Sequence, residues 1–164
     1  MEIRTATEES LAEILEIYAH ARKFMAQNGN GTQWGESYPL PEQLEEDIDM
    51  GRLWVVCDDE GMLHGAFAYV LGEDPAYREI DGAWLNDRPY GTIHRLAGDG
   101  GMRGIFLQCL ECCTGICPNI RADTHANNRP MRHLLEKHGF VRCGTVNLDL
   151  REGDTVRIAY QREG

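Results

Sequence analysis

The segment from Gly98 to Gly104 contains four glycines and one arginine among seven residues, directly before a stretch with helical periodicity. Glycine lets an anion approach the backbone, and the first N–H groups of a helix have no intrahelical acceptor. The segment is therefore typical of a phosphate site, although a plain flexible turn has the same composition. A Walker loop is excluded because no Gly-Lys-Ser/Thr follows, and a dinucleotide fingerprint is excluded because Arg103 stands at its third glycine.

Two side chains ahead of this turn are candidates for proton transfer. His94 lies in a run of strand-forming residues from Gly91 to Ala97, and an imidazole titrates near neutrality. We predict that His94 is the general base, with a hydrogen-bonded structural histidine as the alternative. Glu79, on the connection before this strand, is the second candidate base.

Four of the six cysteines lie close together in the sequence, and they are Cys109, Cys112, Cys113 and Cys117. On one helix, Cys109 and Cys113 face the same side while Cys112 points elsewhere, whereas zinc ligands usually come from separate turns or hairpins. We therefore interpret these cysteines as small, commonly buried residues and expect no metal. A zinc site is the alternative.

Periodicity and turn residues predict eleven elements in the order strand, helix, helix, three strands, helix, strand, helix and two strands. The predicted strands are Glu2–Ala6, Leu53–Cys57, Leu63–Leu71, Gly91–Ala97, Asn119–Ala122, Phe140–Leu148 and Thr155–Tyr160. The predicted helices begin at Thr7, Pro41, Arg103 and Asn128 and end before Gly29, at Met50, at Cys117 and at His138. Residues 72–89 are predicted to be a long connection, and residues 151–154 a hairpin turn. This order predicts a single domain, residues 1–164, with a mixed sheet and helices on its faces.

Net charge and hydropathy indicate which kinds of partner this protein binds. The net charge of −11 disfavours binding to nucleic acid and weakly favours a cationic small molecule. No apolar run approaches the roughly 20 residues of a membrane helix, and the N-terminus has no basic segment followed by an apolar one. We expect a cytoplasmic protein without nucleic-acid or membrane partners. The oligomeric state is open, with a homodimer as one option.

Two segments and the element order resemble the GCN5-related N-acetyltransferases, the GNAT family. The segment from Thr92 to Phe106 resembles the strand, turn and helix start that hold acetyl-coenzyme A, and the segment from Asp123 to Phe140 resembles a second signature, a capped helix ending in Gly-Phe. The resemblance implies an α/β (α+β) fold with a mostly antiparallel sheet of about seven strands and about four helices. It also implies direct transfer of an acetyl group from acetyl-CoA to a primary amine of a small molecule or a peptide N-terminus.

The resemblance assigns a set of cofactor contacts. They are Arg95, Leu96, Ala97, Gly101, Met102, Arg103, Gly104, Ile105, Phe106 and Asn128. With Gly104 as the central glycine of the family pattern, Gly101 stands where Gln or Arg is usual, and Phe106 stands where a small residue is usual. The Phe106 ring would crowd the cofactor unless it turns into the core.

The acceptor side is predicted from aromatic residues and by resemblance. Trp34, Tyr38 and Trp84 are candidates for an aromatic wall that attracts a cation, and His125 is a candidate substrate contact. The tyrosine that protonates the leaving thiolate in many family members is replaced by Leu135. Two alternatives therefore stay open: a non-catalytic acyl-CoA binder with a degenerate site, and a metal-binding interaction protein that uses the cysteines.

Overall fold

The structure is a computed structural model that describes residues 1–148 and 154–164. These residues form eight strands and four α-helices. The strands are β1 (Glu2–Thr5), β2 (Leu53–Cys57), β3 (Leu63–Leu71), β4 (Asp81–Gly82), β5 (Gly91–Gly98), β6 (Ile120–Thr124), β7 (Val141–Asn147) and β8 (Val156–Arg162). The helices are α1 (Leu11–Gln27), α2 (Pro41–Asp49), α3 (Ile105–Ile116) and α4 (Arg129–Lys137). No helix among them is long and apolar enough to cross a membrane.

All strands belong to one sheet with the order β1-β2-β3-β5-β6-β8-β7-β4. Among the described residues, β5 and β6 are the only parallel neighbours. The predicted mixed, mostly antiparallel sheet with four helices is thus confirmed, with one additional short strand. Apolar side chains of α3 and α4 cover one face of the sheet, and those of α1 and α2 cover the other.

Three sequence predictions about the elements were wrong in detail. Residues 72–89 contain a 3-10 turn at Pro75–Tyr77 and the strand β4, which is too short to produce an alternating pattern. Helix α3 begins at Ile105 rather than Arg103 because Gly104 has a left-handed φ of 79°. Thr7 precedes a 3-10 turn and makes no side-chain capping bond, so α1 proper starts at Leu11. The predicted turn at 151–154 lies outside the described residues apart from Asp154.

A bulge in β5 separates this strand from β6. Between the pairs Ala66–Ala97 and Ala68–His94, β3 contributes one residue and β5 contributes two, Arg95 and Leu96. Arg95 has a φ of 53°, which costs a non-glycine residue about 1–3 kcal/mol. On the other side, β5 pairs with β6 only at Gly91–Ile120 and Thr92–Arg121. Beyond Thr92 the two strands diverge and leave an opening in the sheet.

Asp47 fixes the bulge from the α2 side. Its carboxylate is buried and accepts a hydrogen bond from Arg52 Nε at 2.6 Å and another from the Arg95 guanidinium. The Tyr18 hydroxyl also donates to the carbonyl oxygen of Arg95 at 2.8 Å. The left-handed residue is therefore held through both its backbone and its side chain.

We predict that Asp47→Ala destabilises the protein by about 3 kcal/mol, because it leaves the Arg95 guanidinium without its buried anion. Denaturant unfolding monitored by tryptophan fluorescence measures the change. Asp49→Ala, at an exposed position of the same helix, is the control and should be close to neutral. Equal unfolding free energies for the two variants would contradict the role of Asp47.

Candidate active site

A cavity of about 510 Å³ occupies the opening between β5 and β6. It crosses the sheet, since Ala122 belongs to the core under α3 and α4 whereas Asp123 contacts Tyr77 on the opposite face. The wall includes seven of the residues predicted from the sequence: Trp34, Tyr38, His94, Arg95, Leu96, Phe106 and Asn128. The structure thus brings the predicted base, part of the predicted cofactor segment and two aromatic side chains around one space.

The half of the cavity under α3 and α4 is apolar. Its wall contains Phe106, Met131, Leu135 and Phe140. The Phe106 ring is buried, 8% exposed, and packs against the His138 ring with centroids 5.3 Å apart. The ring is therefore turned into the core, and it also forms part of the cavity wall. Leu135, at the position of the tyrosine in many family members, is buried and supplies no proton donor.

The start of α3 presents backbone donors next to this half. The N–H groups of residues 105–107 precede the first helical hydrogen bond, which runs from Gln108 N–H to the Gly104 carbonyl at 3.0 Å. A Cβ atom at Gly104 would meet no atom within 4 Å, so the space beside this residue is open. The side chain of Ile105 packs into the core, while Gly101, Met102 and Arg103 form the turn outside the cavity wall. Ala97, further along β5, is buried against α1 and α2.

On the opposite face, His94 and Asp74 form a hydrogen-bonded pair. His94 Nε2 lies 2.8 Å from Asp74 Oδ2, and Asp74 Oδ1 accepts the Ala76 N–H at 2.9 Å. Burial by itself raises the pKa of Asp74, but the hydrogen bond and charge of His94 and the Ala76 N–H outweigh it, so that the pKa is lowered overall. An ionised carboxylate only accepts hydrogen bonds, so Nε2 carries the hydrogen and Nδ1 keeps a lone pair for a proton.

Tyr77 connects this pair to a second carboxylate. Its ring centroid lies 6.1 Å from that of His94, and its hydroxyl donates to Asp123 Oδ2 at 2.5 Å. Burial raises the pKa of Tyr77 well above its usual value, and the Asp123 charge adds to this shift. The phenol therefore stays protonated and orients the carboxylate. Asp74 and Asp123 both line the cavity.

The aromatic and amide residues around the cavity are held by contacts of their own. Trp34 packs edge-on against Tyr18 with centroids 5.7 Å apart and lies beside Tyr38. Asn128 caps α4 by accepting the Met131 N–H at 3.2 Å, and its amide donates to Gln33 at 3.1 Å. The loop before α2 is thereby tied to the start of α4.

Three of the predicted catalytic and substrate-binding residues lie away from the cavity wall. Glu79 is exposed and lines a separate shallow depression beside β7. Trp84 packs against Tyr77 at a centroid distance of 5.0 Å, with the Arg121 guanidinium 4.2 Å above its ring. His125 is buried, bonds to Asp154, and accepts the Asn127 N–H at 2.9 Å, so it shapes the turn into α4. Their predicted roles stay untested.

The sequence reasoning missed Asp74 and Asp123, which line the cavity, and Tyr77, which holds Asp123. Asp74 lies 20 residues before His94, and no spacing rule connects the two positions. Asp123 could have been predicted, because it is an acid near the carboxyl end of β6, the parallel neighbour of the strand that bears His94. Such ends meet at one edge of a sheet and commonly carry ligand-binding side chains.

The cysteines pack as the helical spacing predicts. Cys109 and Cys113 are each 1% exposed and belong to the core between α3 and the sheet, while Cys112 is partly exposed. Within residues 1–148 and 154–164, no group of three His, Cys, Asp or Glu side chains is arranged to hold a metal ion.

Comparison with known proteins places this architecture in a family. The sequence matches no protein-family model and no curated protein. A GNAT-family acetyltransferase from Streptococcus agalactiae is 32% identical, with a TM-score of 0.82 over 99% of this chain and 95% of that chain. The chain belongs to the GNAT family of acetyltransferases, which confirms the resemblance seen in the sequence.

Two other solved structures share the fold at lower identity. The ribosomal-protein-alanine N-acetyltransferase from Brucella melitensis is 20% identical, with a TM-score of 0.64 over 100% of both chains. A GNAT superfamily phosphinothricin acetyltransferase from Sinorhizobium meliloti, solved in complex with AcCoA, is 16% identical, with a TM-score of 0.63 over 98% of this chain and 86% of that chain. At these identities the likeness is one of fold alone.

His64 anchors the glycine-rich turn from outside the cavity. Its Nε2 lies 2.9 Å from Asp58 Oδ2, its Nδ1 lies 3.0 Å from Asp99 Oδ2, and Asp99 Oδ1 accepts the Gly101 N–H at 2.8 Å. The hydrogen bond to Asp58 raises the pKa of His64; burial opposes the shift, and Asp99 adds to it. The ring therefore links the β2–β3 turn to the turn that precedes α3, and it carries a positive charge below its raised pKa.

We predict that the stabilisation by His64 is present below the ordinary imidazole pKa and is lost as the pH rises through its raised folded-state pKa. The unfolding free energy lost in His64→Gln should be larger at pH about 6 than at pH about 9. Urea denaturation at the two pH values measures it. His133→Gln, at an exposed position of α4, is the control, and a pH-independent loss in His64→Gln would contradict the prediction.

Proposed function

We propose that this chain, as one acetyltransferase domain, binds acetyl-CoA at the start of α3 and transfers its acetyl group directly to a primary amine. The observation that carries the proposal is the cavity through the β5–β6 opening, whose wall includes Phe106 at the start of α3 as well as the Asp74–His94 pair. Pyrophosphate is suited to the free N–H groups at residues 105–107. The thioester then extends along β5 into the opening, and the amine approaches from the face that carries His94.

The unpaired edge of β5 suits the thioester arm. Beyond Thr92 this edge has no ladder partner in β6, so backbone groups of residues 95–97, other than the Arg95 carbonyl that Tyr18 binds, are available to the pantetheine amides or the thioester oxygen. Asn128, on the cavity wall at the start of α4, is placed to contact the same arm.

The reaction proceeds without a covalent enzyme intermediate. The amine nitrogen attacks the carbonyl carbon, the carbon–sulfur bond breaks, and coenzyme A leaves as a thiolate. His94 Nδ1 accepts the proton that the nitrogen loses, while Asp74 holds the imidazole in the required tautomer. With Leu135 at the position of the usual acid, the thiolate takes its proton from water. A thiolate is a sufficiently weak base, with a pKa of about 8.5 for a free cysteine, to leave without an enzymatic acid.

The Asp74–His94 pair favours a catalyst over a non-catalytic acyl-CoA sensor. A sensor requires the cofactor cradle alone, and a carboxylate that orients an imidazole toward the acceptor side contributes nothing to cofactor binding. Calorimetry with acetyl-CoA followed by a thiol-release assay with a panel of amines distinguishes the two. Saturable binding without amine-dependent release would support the sensor, and the absence of binding would refute both.

The cofactor site is tested with two variants of equal size. Gly104→Glu and Gly104→Gln impose the same strain at a left-handed residue, but only glutamate places a negative charge beside the pyrophosphate. We predict that acetyl-CoA binds the Glu variant about tenfold more weakly than the Gln variant, and that the difference shrinks at high salt. Calorimetry measures both dissociation constants. Equal affinities would show that the pyrophosphate lies elsewhere.

The base is tested through the pH dependence of turnover. We predict that His94→Gln lowers kcat by about 10²- to 10⁴-fold and changes the pH dependence of kcat, because the group that accepts the proton is gone. Asp74→Asn no longer holds the hydrogen of His94 on Nε2, and it should lower kcat by a smaller factor than His94→Gln. Both variants should keep the acetyl-CoA dissociation constant of the wild type. An unchanged pH profile in His94→Gln would exclude this histidine as the base.

A further inference from the structure

Asp123 lies in the half of the cavity on the face of the sheet that carries His94, the predicted base. We call this the acceptor half, and the half under α3 and α4 the cofactor half. Its partner across the sheet is Ala159, which lies in the core cluster of Tyr77 and Tyr90, so Asp123 lies on the face that also carries His94. The Tyr77 hydroxyl donates to Oδ2. In the described part of the chain, the second oxygen, Oδ1, makes no hydrogen bond or ion pair. One oxygen of an oriented carboxylate is therefore open to the cavity.

The other acid of the cavity cannot play the same part. Asp74 uses Oδ1 for the Ala76 N–H and Oδ2 for His94. Trp34 and Tyr38 line the same cavity, and ring faces attract cations. Two guanidinium groups line it as well, but Arg95 is bound to Asp47, and Arg157 donates to the carbonyl oxygens of Gln33, Asp154 and Val156. The cavity thus offers a cation one open carboxylate together with aromatic side chains.

The cofactor half offers a contrasting polar group. The Thr124 hydroxyl is buried, lines the same cavity and has no hydrogen-bond partner among the described residues. Thr124 pairs with Ile158, whose side chain lies in the core under α3 and α4. The Thr124 hydroxyl is therefore on the face opposite Asp123. Consecutive residues of β6 therefore present an uncharged hydroxyl to the cofactor half and a carboxylate to the acceptor half.

We propose that Asp123 is the specificity residue for the acceptor and that it selects primary alkylamines, which arrive as ammonium cations, over amines that are neutral in solution. This inference rests on the proposed acetyl transfer. The ammonium donates a hydrogen bond to Asp123 Oδ1, and Tyr77 keeps the carboxylate in place. One N–H bond of the ammonium breaks as its proton moves to His94 Nδ1, which passes it on to water. The neutral nitrogen then attacks the thioester, and His94 Nδ1 accepts the second proton that the nitrogen loses as the carbon–sulfur bond breaks.

The test compares acceptors that differ in charge. Thiol release is measured with spermidine, lysine methyl ester and benzylamine as cationic acceptors and with aniline as a neutral one. We expect the wild type to favour a cationic acceptor in kcat/KM, and Asp123→Asn to lose about 10- to 100-fold of that preference, mainly through the KM of the cationic amine. The acetyl-CoA dissociation constant should not change. Asp87→Asn, an exposed site with the same change of charge, is the control and should keep the preference.

A second measurement needs no variant. N,N-dimethylbenzylamine carries a cation but forms no stable amide, and it should inhibit the wild type competitively against the amine, whereas benzyl alcohol should not. A wild type that favours aniline, or an Asp123→Asn variant with an unchanged preference, would overturn the role of Asp123 and leave acetyl transfer intact. A wild type that binds no acetyl-CoA would overturn the proposed function and this inference together.

Discussion

The left-handed bulge at Arg95 is the constraint on which the site depends. A regular strand would continue its parallel ladder with β6 beyond Thr92 and leave no opening. The strained residue persists because the Tyr18 hydroxyl binds its carbonyl and the buried Asp47 binds its guanidinium. Several contacts of about 1 kcal/mol or more offset a backbone cost of similar size. Helices α1 and α2 thus stabilise the cavity from the face opposite α3.

The opening divides the cavity into two chemically different halves. Toward α3 and α4 the wall is mostly apolar and includes Phe106 at the start of α3. The first backbone N–H groups of that helix have no helical acceptor, and such groups suit an acyl carrier with a phosphate group. Toward the segment 72–90 the wall has two carboxylates and an imidazole, which suit an amine and its proton. The family assignment and the geometry agree on acetyl transfer. The acidic acceptor half also agrees with a net charge of −11.

The sequence predicted local features better than those that depend on contacts between distant residues. Strands β2 and β3 were predicted to the residue because branched side chains and an Asp-Asp-Glu-Gly turn delimit them. The sequence offers Asn127 or Asn128 as the cap of the last helix, and Asn128 caps α4, because capping is a local interaction. The bulge at Arg95 was not predicted, since nothing local requires a left-handed arginine. The pairs Asp74–His94 and Tyr77–Asp123 were missed for a similar reason, because each joins residues brought together only by the sheet.

A crystal structure with coenzyme A bound tests the central claim most directly. Our account predicts the pyrophosphate at residues 104–107, the pantetheine arm along the unpaired edge of β5, and the thiol within the opening, on the side toward His94. The Asp74–His94 hydrogen bond should persist in that complex. Coenzyme A bound elsewhere, or a thiol that points away from the β5–β6 opening, would contradict the account.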